Sequence, residues 1–358
     1  MLGQSIYVSR FDESFIPEKN IDFYFTSMHI AEEFNDEFKN KALKLLKVLN
    51  EHNKKIILDI SPRGVEALGF KDIYELLDNI HIDVLRLDFG FSEEEILNIC
   101  DHITIGINAS TNDYSLAQKI KEKGNRVIAI HNFYPRPETG LDEDFFIKRN
   151  KQLSDMGIEL MAFIQGEDLR GPLFEGLPTL ESQRNMKPYV AYMEMKYLYN
   201  LDNILVGDLR ISSKQIELIS AAEKDNIILL PCTINEKYHE YLNRDLTVRD
   251  DSPDNLLRIK ESRMYASFNR EIEPENTVER TKGSITVDNI KYLRYSGELQ
   301  ICKKDYPICE KVNVIGHIDD EYLSLLNIVN RGSRIRLINS NQTESDYIEV
   351  RGCYKIAN

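Results

Sequence analysis

The sequence predicts an α/β protein: an N-terminal (β/α)8 TIM-like barrel followed by a smaller C-terminal β-domain or β-barrel. Three observations carry this. Short, β-branched, near-continuously apolar runs alternate with amphipathic stretches, as buried parallel strands and their covering helices do. Eight such pairs fill about the first 225 residues of the 358. No Gly-x-Gly-x-x-Gly turn follows the first run, which disfavours a doubly wound nucleotide-binding sheet.

In chain order the strands read "SIYVSRF", "DFYFTSM", "KKIILDIS", "DVLRLDFG", "ITIGINAS", "RVIAIHNFY", "IELMAFIQG" and "NILVGDL". Helical patterns lie between them, from "DEFKNKALKLLKVLNEHN" to "QRNMKPYVAYMEMKYLYN". In the first, Ala42, Leu45, Leu46 and Leu49 share one face at helical spacing. The pattern changes after "NIILLPCTIN". Residues 236–265 read as a polar connection with one periodic stretch around "DNLLRIKESRMYA". From 266 to 358 the texture is β-rich, with strands around "GSITVDNIKYLRYSGELQICK", "CEKVNVIGHID", "SRIRLIN" and "DYIEVRGCYKI". The expected division is therefore 1–235 barrel, 236–265 connection and 266–358 β-domain.

Composition excludes several classes. With a formal net charge of -14, nothing in the sequence suggests the basic face that nucleic-acid binders usually show. No stretch of about 18 apolar residues suggests a membrane span. The N-terminus lacks a basic-then-apolar leader, so a cytoplasmic location is expected. Five scattered cysteines without Cys-x-x-Cys fit free thiols in a reducing compartment. Seven histidines include no His-x-His and no His-Glu-x-x-His, so neither a metal nor another cofactor is expected.

Barrels of this class place chemistry at the C-terminal ends of their strands. That rule selects Arg10 after strand one, Asp59 after strand three, Asp88 after strand four and Asn108 after strand five. Strand six delivers "HNFYPRPETGL", with His131, Asn132, Tyr134, Arg136 and Glu138 between stiffening prolines. Strand seven leads to Arg170 and Glu181, and strand eight to Asp208. Each residue has a plainer reading: Asp208 as a turn residue, Asp59 as an internal acceptor, Asp88 as a partner of Arg86, His131 as a core histidine. Five carboxylates beside several arginines nonetheless describe a site for a polar, anionic ligand. Opposed carboxylates suit glycosidic cleavage, one protonating the leaving oxygen while the other attacks or activates water. Arginines such as Arg136 and Arg170 suit a phosphate or carboxylate on the sugar. A Gly-x-Ser-x-Gly elbow is absent, and no lysine ends a strand, which disfavours a serine hydrolase and a Schiff-base aldolase. A non-catalytic phospho-sugar-binding or regulatory protein is the alternative, weakened by so many acids facing an anion.

At these residues the chain resembles a family. "FYFTSMHIAEEF", "LDISPRGVEALG", "LRLDFGFSEEEI", "INAST", "HNFYPRPETGL" and "LRGPLFEGLPTLESQR" are similar to bacterial cytoplasmic 6-phospho-N-acetylmuramidases. The resemblance continues through "RTKGSITVDNIKYLRYSGELQICKKDYP" and "KVNVIGHI". It implies a TIM-like barrel with a cyclophilin-like C-terminal domain. It also implies release of N-acetylmuramic acid 6-phosphate from N-acetylglucosamine during cell-wall turnover. The partner is then a phosphorylated amino-sugar disaccharide, with no nucleic acid and no membrane; a homodimer is a candidate assembly. On this reading Asp59, Asp88, Glu138, Asp208 and Glu181 are the candidate catalytic carboxylates. Arg10, Asn108, His131, Asn132, Tyr134, Arg136 and Arg170 are the candidate substrate ligands. The chain has "VGDLRISSKQ" where the family commonly shows a Gly-Asp-Pro turn.

Overall fold

The computed structural model describes residues 1–28, 37–87, 90–110, 114–263 and 271–340. Asp88 and the strand expected at 346–356 lie outside the described residues. The chain forms two compact units, Met1–Ser212 and Ser213–Asn358.

The first unit is a closed barrel of eight parallel strands. They are β1 (Leu2–Ser5), β2 (Phe23–Ser27), β3 (Lys55–Asp59), β4 (Val84–Arg86), β5 (Thr104–Asn108), β6 (Val127–Ile130), β7 (Glu159–Ile164) and β8 (Asn203–Val206). Each pairs with the next, and β1 closes on β8 through Leu2 opposite Ile204 and Gln4 opposite Val206. The first strand thus lies earlier than "SIYVSRF" suggests. Val8–Arg10, read in the sequence as part of the first strand, forms a 3-10 turn on the way to β2.

The remaining connections carry helices α1 (Phe38–Glu51), α2 (Pro62–Ala67), α3 (Ile73–Asn79), α4 (Glu93–Ile99), α5 (Ser115–Glu122), α6 (Glu143–Asp155) and α7 (Pro188–Tyr197). Their starts follow from local chemistry. Ser61 caps α2, accepting from the Gly64 amide, with Pro62 in the first turn where no N–H is needed. Asp72 caps α3, and Ser92 with Glu95 closes a capping box on α4. Two helices therefore occupy the β3–β4 connection, where one continuous pattern was read. The turn at Gly69, with φ of 84°, separates them.

Alternate residues of each strand face the barrel axis. Phe23, Phe25, Ile57, Val84, Ile128, Ile130, Met161, Phe163 and Leu205 form the apolar interior. Gly3 leaves the space that the Phe23 ring occupies. Continuing the same alternation toward the strand C-termini, the inward positions turn polar: Ser27, Asp59, Arg86, Asn108 and Asn132. Side-chain filling therefore ends in a layer of hydrogen-bonding groups at the mouth.

The second unit begins with helix α8 (Ser213–Asp225) and holds a seven-stranded mixed sheet. Its strands are β9 (Ile228–Ile234), β10 (Asp245–Thr247), β11 (Leu256–Arg258), β12 (Ser284–Asp288), β13 (Leu299–Cys302), β14 (Val312–Ile318) and β15 (Arg334–Asn339). They are ordered β10-β15-β9-β14-β12-β13-β11. The stretch read as a connection thus carries β10 and β11, whose short ladders lie at the sheet's two edges. Pro231 sits inside β9, between β14 and β15. Its carbonyl accepts from the Asp319 amide at 3.1 Å, one residue past the end of β14. The donor that proline lacks would point to that same side, so its loss falls at the end of a ladder. Among the described residues, no helix is long and apolar enough to cross a membrane.

Candidate active site at the barrel mouth

Asp59 ends β3 and is 3% exposed. Its Oδ2 accepts from the Ser27 hydroxyl at 2.9 Å, and its Oδ1 accepts from the Arg86 guanidinium, also at 2.9 Å. The other terminal nitrogen of Arg86 donates to Asn132 Oδ1 at 2.6 Å. One network thus spans β2, β3, β4 and the loop after β6. Gly106 makes this reach feasible. It lies opposite Arg86 in the β4–β5 register, and a Cβ there would stand 3.3 Å from the Arg86 Cα and Cβ. Arg86 is a site residue that selection at strand ends did not choose. Its signal was available in the alternation, since it lies two residues beyond the inward Val84.

Asn108 ends β5, and its Oδ1 accepts from the Ser110 amide at 2.9 Å. His131 is 0% exposed. Its Nε2 meets Asn150 Oδ1 at 2.7 Å and its Nδ1 meets the Ser110 hydroxyl at 3.3 Å, with the ring against Phe146. Since Asn150 Oδ1 can only accept, Nε2 carries the proton and Nδ1 accepts. Burial pushes the imidazole down to about 4 despite the Asn150 bond, so the ring is neutral near pH 7. The structure therefore sets His131 beneath the mouth, as a core histidine.

Asp208 is fully buried. Its Oδ2 accepts from the amides of Gly166 (2.9 Å) and Leu177 (3.0 Å), and its Oδ1 from that of Arg170 (3.0 Å). It ties the β8 end to the long loop after β7. The Arg170 guanidinium lies over the Tyr7 ring, 4.1 Å from its centroid. Among the described residues no acceptor meets the N–H edge of Arg170. The stacked face leaves that edge suited to an anion. Arg10, at the end of the 3-10 turn, is exposed.

The loop after β6 is laced to the β7–α7 loop. The Thr179 hydroxyl donates to the Asn132 carbonyl and accepts from the Phe163 amide, both at 2.9 Å. The Tyr134 amide donates to the Pro178 carbonyl at 3.0 Å. Tyr134 is half-buried, while Arg136 and Glu138 are exposed. Glu181 accepts from the Glu138 and Gly140 amides at 3.0 and 2.8 Å. It also takes a forked pair from Arg184, at 2.7 Å from Nε and 2.8 Å from a terminal nitrogen. The guanidinium of Arg184, then the loop amides, pull the Glu181 carboxyl down to about 2. Arg184 is a second residue that strand-end selection missed. In "ESQR" it reads as an ordinary solvated charge, and only the fold reveals its partners.

Among the described residues of the mouth, the buried Asp59 carboxylate lies inside a network of side-chain hydrogen bonds. Two more carboxylates, Asp208 and Glu181, are taken up by loop amides. Tyr134, Arg136, Glu138 and Arg170 stand on the loops so held. Among the described residues, no group of three or more His, Cys, Asp or Glu side chains could hold a metal ion.

The 6-phospho-N-acetylmuramidase N-terminal family model matches residues 2–221, and the corresponding C-terminal model matches residues 228–338. No curated protein matches the chain. A crystal structure of a conserved Enterococcus faecalis protein of unknown function is similar, with 29% identity over 98% of this chain and 99% of that one, at a TM-score of 0.84. An uncharacterized B. cereus protein, 23% identical over 94% of this chain and 99% of its own, shares the fold at a TM-score of 0.74. With both its units matched by the paired models, the chain belongs to the 6-phospho-N-acetylmuramidase family of glycosidases.

Proposed function

We propose that the protein hydrolyses the glycosidic bond between N-acetylmuramic acid 6-phosphate and N-acetylglucosamine, in the cytoplasm, as a step in cell-wall recycling. The observation that carries this reading is the Ser27–Asp59–Arg86–Asn132 network at the mouth of a barrel that the family models match. Asp59 would be the carboxylate at the reacting centre. Its charge faces the Arg86 guanidinium, which suits a base, a nucleophile or a stabiliser of the oxocarbenium ion better than a proton donor. Glu138 and Asp88 are the candidates for the acid. Asp208, with three backbone amides on its two oxygens, would serve as a loop anchor.

Arg170 and Arg136 would bind the 6-phosphate or the lactyl carboxylate, with Arg10 at the same rim. A dianion gains most from guanidinium forks held without water competition. Asn108, Asn132 and Tyr134 would meet sugar hydroxyls, and His131 would support Asn132 from below. The test is incubation of the folded protein with the phosphorylated disaccharide and with its unphosphorylated form. Cleavage of neither refutes the reading, and tight binding without turnover indicates a phospho-sugar sensor instead. Equal cleavage of both removes phosphate recognition.

A further inference from the structure

The Glu181 carboxylate has four hydrogen-bond partners: the amides of Glu138 and Gly140, and two nitrogens of Arg184. Two oxygens offer about four lone-pair positions, so none is left over for a substrate. Arg184 does more than neutralise it. Its guanidinium also donates to the carbonyls of Tyr134 (2.9 Å), Arg136 (3.4 Å), Glu175 (2.9 Å) and Gly176 (3.1 Å). The main chain joins in. Leu141 donates to the Thr179 carbonyl at 2.9 Å, and Glu181 donates to the Leu141 carbonyl at 3.2 Å.

The clamped loop is under strain at one point. Glu138 has φ of 70°, a left-handed backbone that costs a non-glycine residue about 1–2 kcal/mol. Its amide is one of the two that Glu181 holds. At Gly140, a Cβ would stand 2.6 Å from Glu181 Oε2 and 2.7 Å from the Glu181 nitrogen, so the close approach requires glycine.

We infer that Glu181 and Arg184 are a positioning pair: they hold the Tyr134–Gly140 loop in one geometry, so that Arg136 and Glu138 meet the substrate already ordered, and Glu181 itself transfers no proton. The inference rests on the glycosidase reading for what the loop meets. A carboxyl held near 2 by Arg184 and the loop amides is a poor proton donor near neutral pH, which agrees with the geometry. Ordering the loop in advance removes a cost that substrate binding would otherwise bear.

Glu181→Gln and Gly140→Ala test the pair. The first turns an acceptor oxygen into a donor facing donors. The second keeps both charges and forces the two segments apart, so it remains informative if the first fails to fold. With the phosphorylated disaccharide, both should lower kcat/KM by about 10- to 100-fold, mostly through KM, with the limbs of the pH profile unmoved. Both should also speed hydrogen exchange at the Glu138 and Gly140 amides. A roughly 10,000-fold loss of kcat in Glu181→Gln with a missing pH limb, beside near-normal Gly140→Ala, makes Glu181 catalytic and overturns the inference. Unchanged kinetics and exchange in both variants overturn it as well. If the wild type cleaves no disaccharide, the glycosidase reading fails by itself. Amide exchange then still decides whether the clamp holds the loop, and unchanged exchange overturns it.

Discussion

Replacing Asp288 by asparagine should make the second unit more stable, by an amount that grows from about pH 4 and levels off near pH 7. Asp288 ends β12 and is 6% exposed. Burial first, then the charge of Glu298, push its carboxyl from 3.8 up to about 7, against the opposing pull of Arg258 and Arg280. Glu298, 1% exposed, already takes the Arg258 fork through both of its oxygens. Asp288 is left with the Gln300 amide at 3.3 Å. Between about pH 4 and 7 the folded protein therefore keeps a proton that the unfolded chain has released. Stability is full below that window and falls as pH rises through it. The gap from 3.8 to about 7 corresponds to about 4 kcal/mol, at 1.36 kcal/mol per pH unit. Asparagine has no charge to bury and retains an oxygen for Gln300. Asp288→Asn should thus gain up to about 4 kcal/mol over wild type at pH 8 and almost nothing at pH 4, or about 10 °C against none for a unit of this size. Amide exchange at Ile285, Val287, Leu299 and Ile301, measured from pH 4 to 8, reports this unit alone. A variant-minus-wild-type difference that stays flat across that range refutes the reasoning.

The first unit should respond to pH in the opposite sense. His131, held at about 4 against an ordinary 6.5, stabilises the fold above pH 6.5, and this is lost as pH falls toward 4, by about 3 kcal/mol; NMR titration showing a charged His131 at pH 6 contradicts it. His131→Phe removes a partner from half-buried Ser110 and from buried Asn150, so it should cost about 2–3 kcal/mol in urea unfolding. Asp59→Asn should lower kcat at least about 100-fold with the fold intact by circular dichroism; near-normal turnover removes Asp59 from the reacting centre. Arg170→Ala should raise KM for the phosphorylated disaccharide about tenfold or more, and an equal effect on the unphosphorylated one denies it an anion-binding role.

The barrel was legible because its signal is repeated. Eight apolar runs alternating with amphipathic stretches fix a closed parallel sheet even when single boundaries slip, as at β1. The site was legible only as a zone. In sequence Asp59 and Asp208 are carboxylates at the ends of apolar runs, and Glu181 is one more acid in the long polar loop after strand seven. What separates them is whether the oxygens meet a guanidinium in the barrel axis or the amides of neighbouring loops. That depends on loops converging from positions more than 40 residues apart, such as Glu138 and Glu181 or Gly166 and Asp208. Arg86 and Arg184 were overlooked for a related reason. A lone arginine in a strand or a short turn carries no sequence mark of having several partners. In the second unit, β10 and β11 span only three residues each, too short for a period-two pattern to emerge from a polar stretch.

The order of strands in the second unit has a consequence for synthesis. β9 leaves the ribosome first, yet its partners β14 and β15 lie about 80 to 110 residues further on, with Ile228 opposite Ile335 and Cys232 opposite Ile318. During several seconds of translation the segment "ILLPCTI" is an apolar strand with neither edge occupied. Such a nascent strand readily pairs with its counterpart on a neighbouring chain. Pro231 interrupts it at its midpoint, at the one side where the finished sheet does not need the missing donor. The proline that looks misplaced in a central strand is therefore also a gatekeeper, guarding the growing chain until its own later strands arrive.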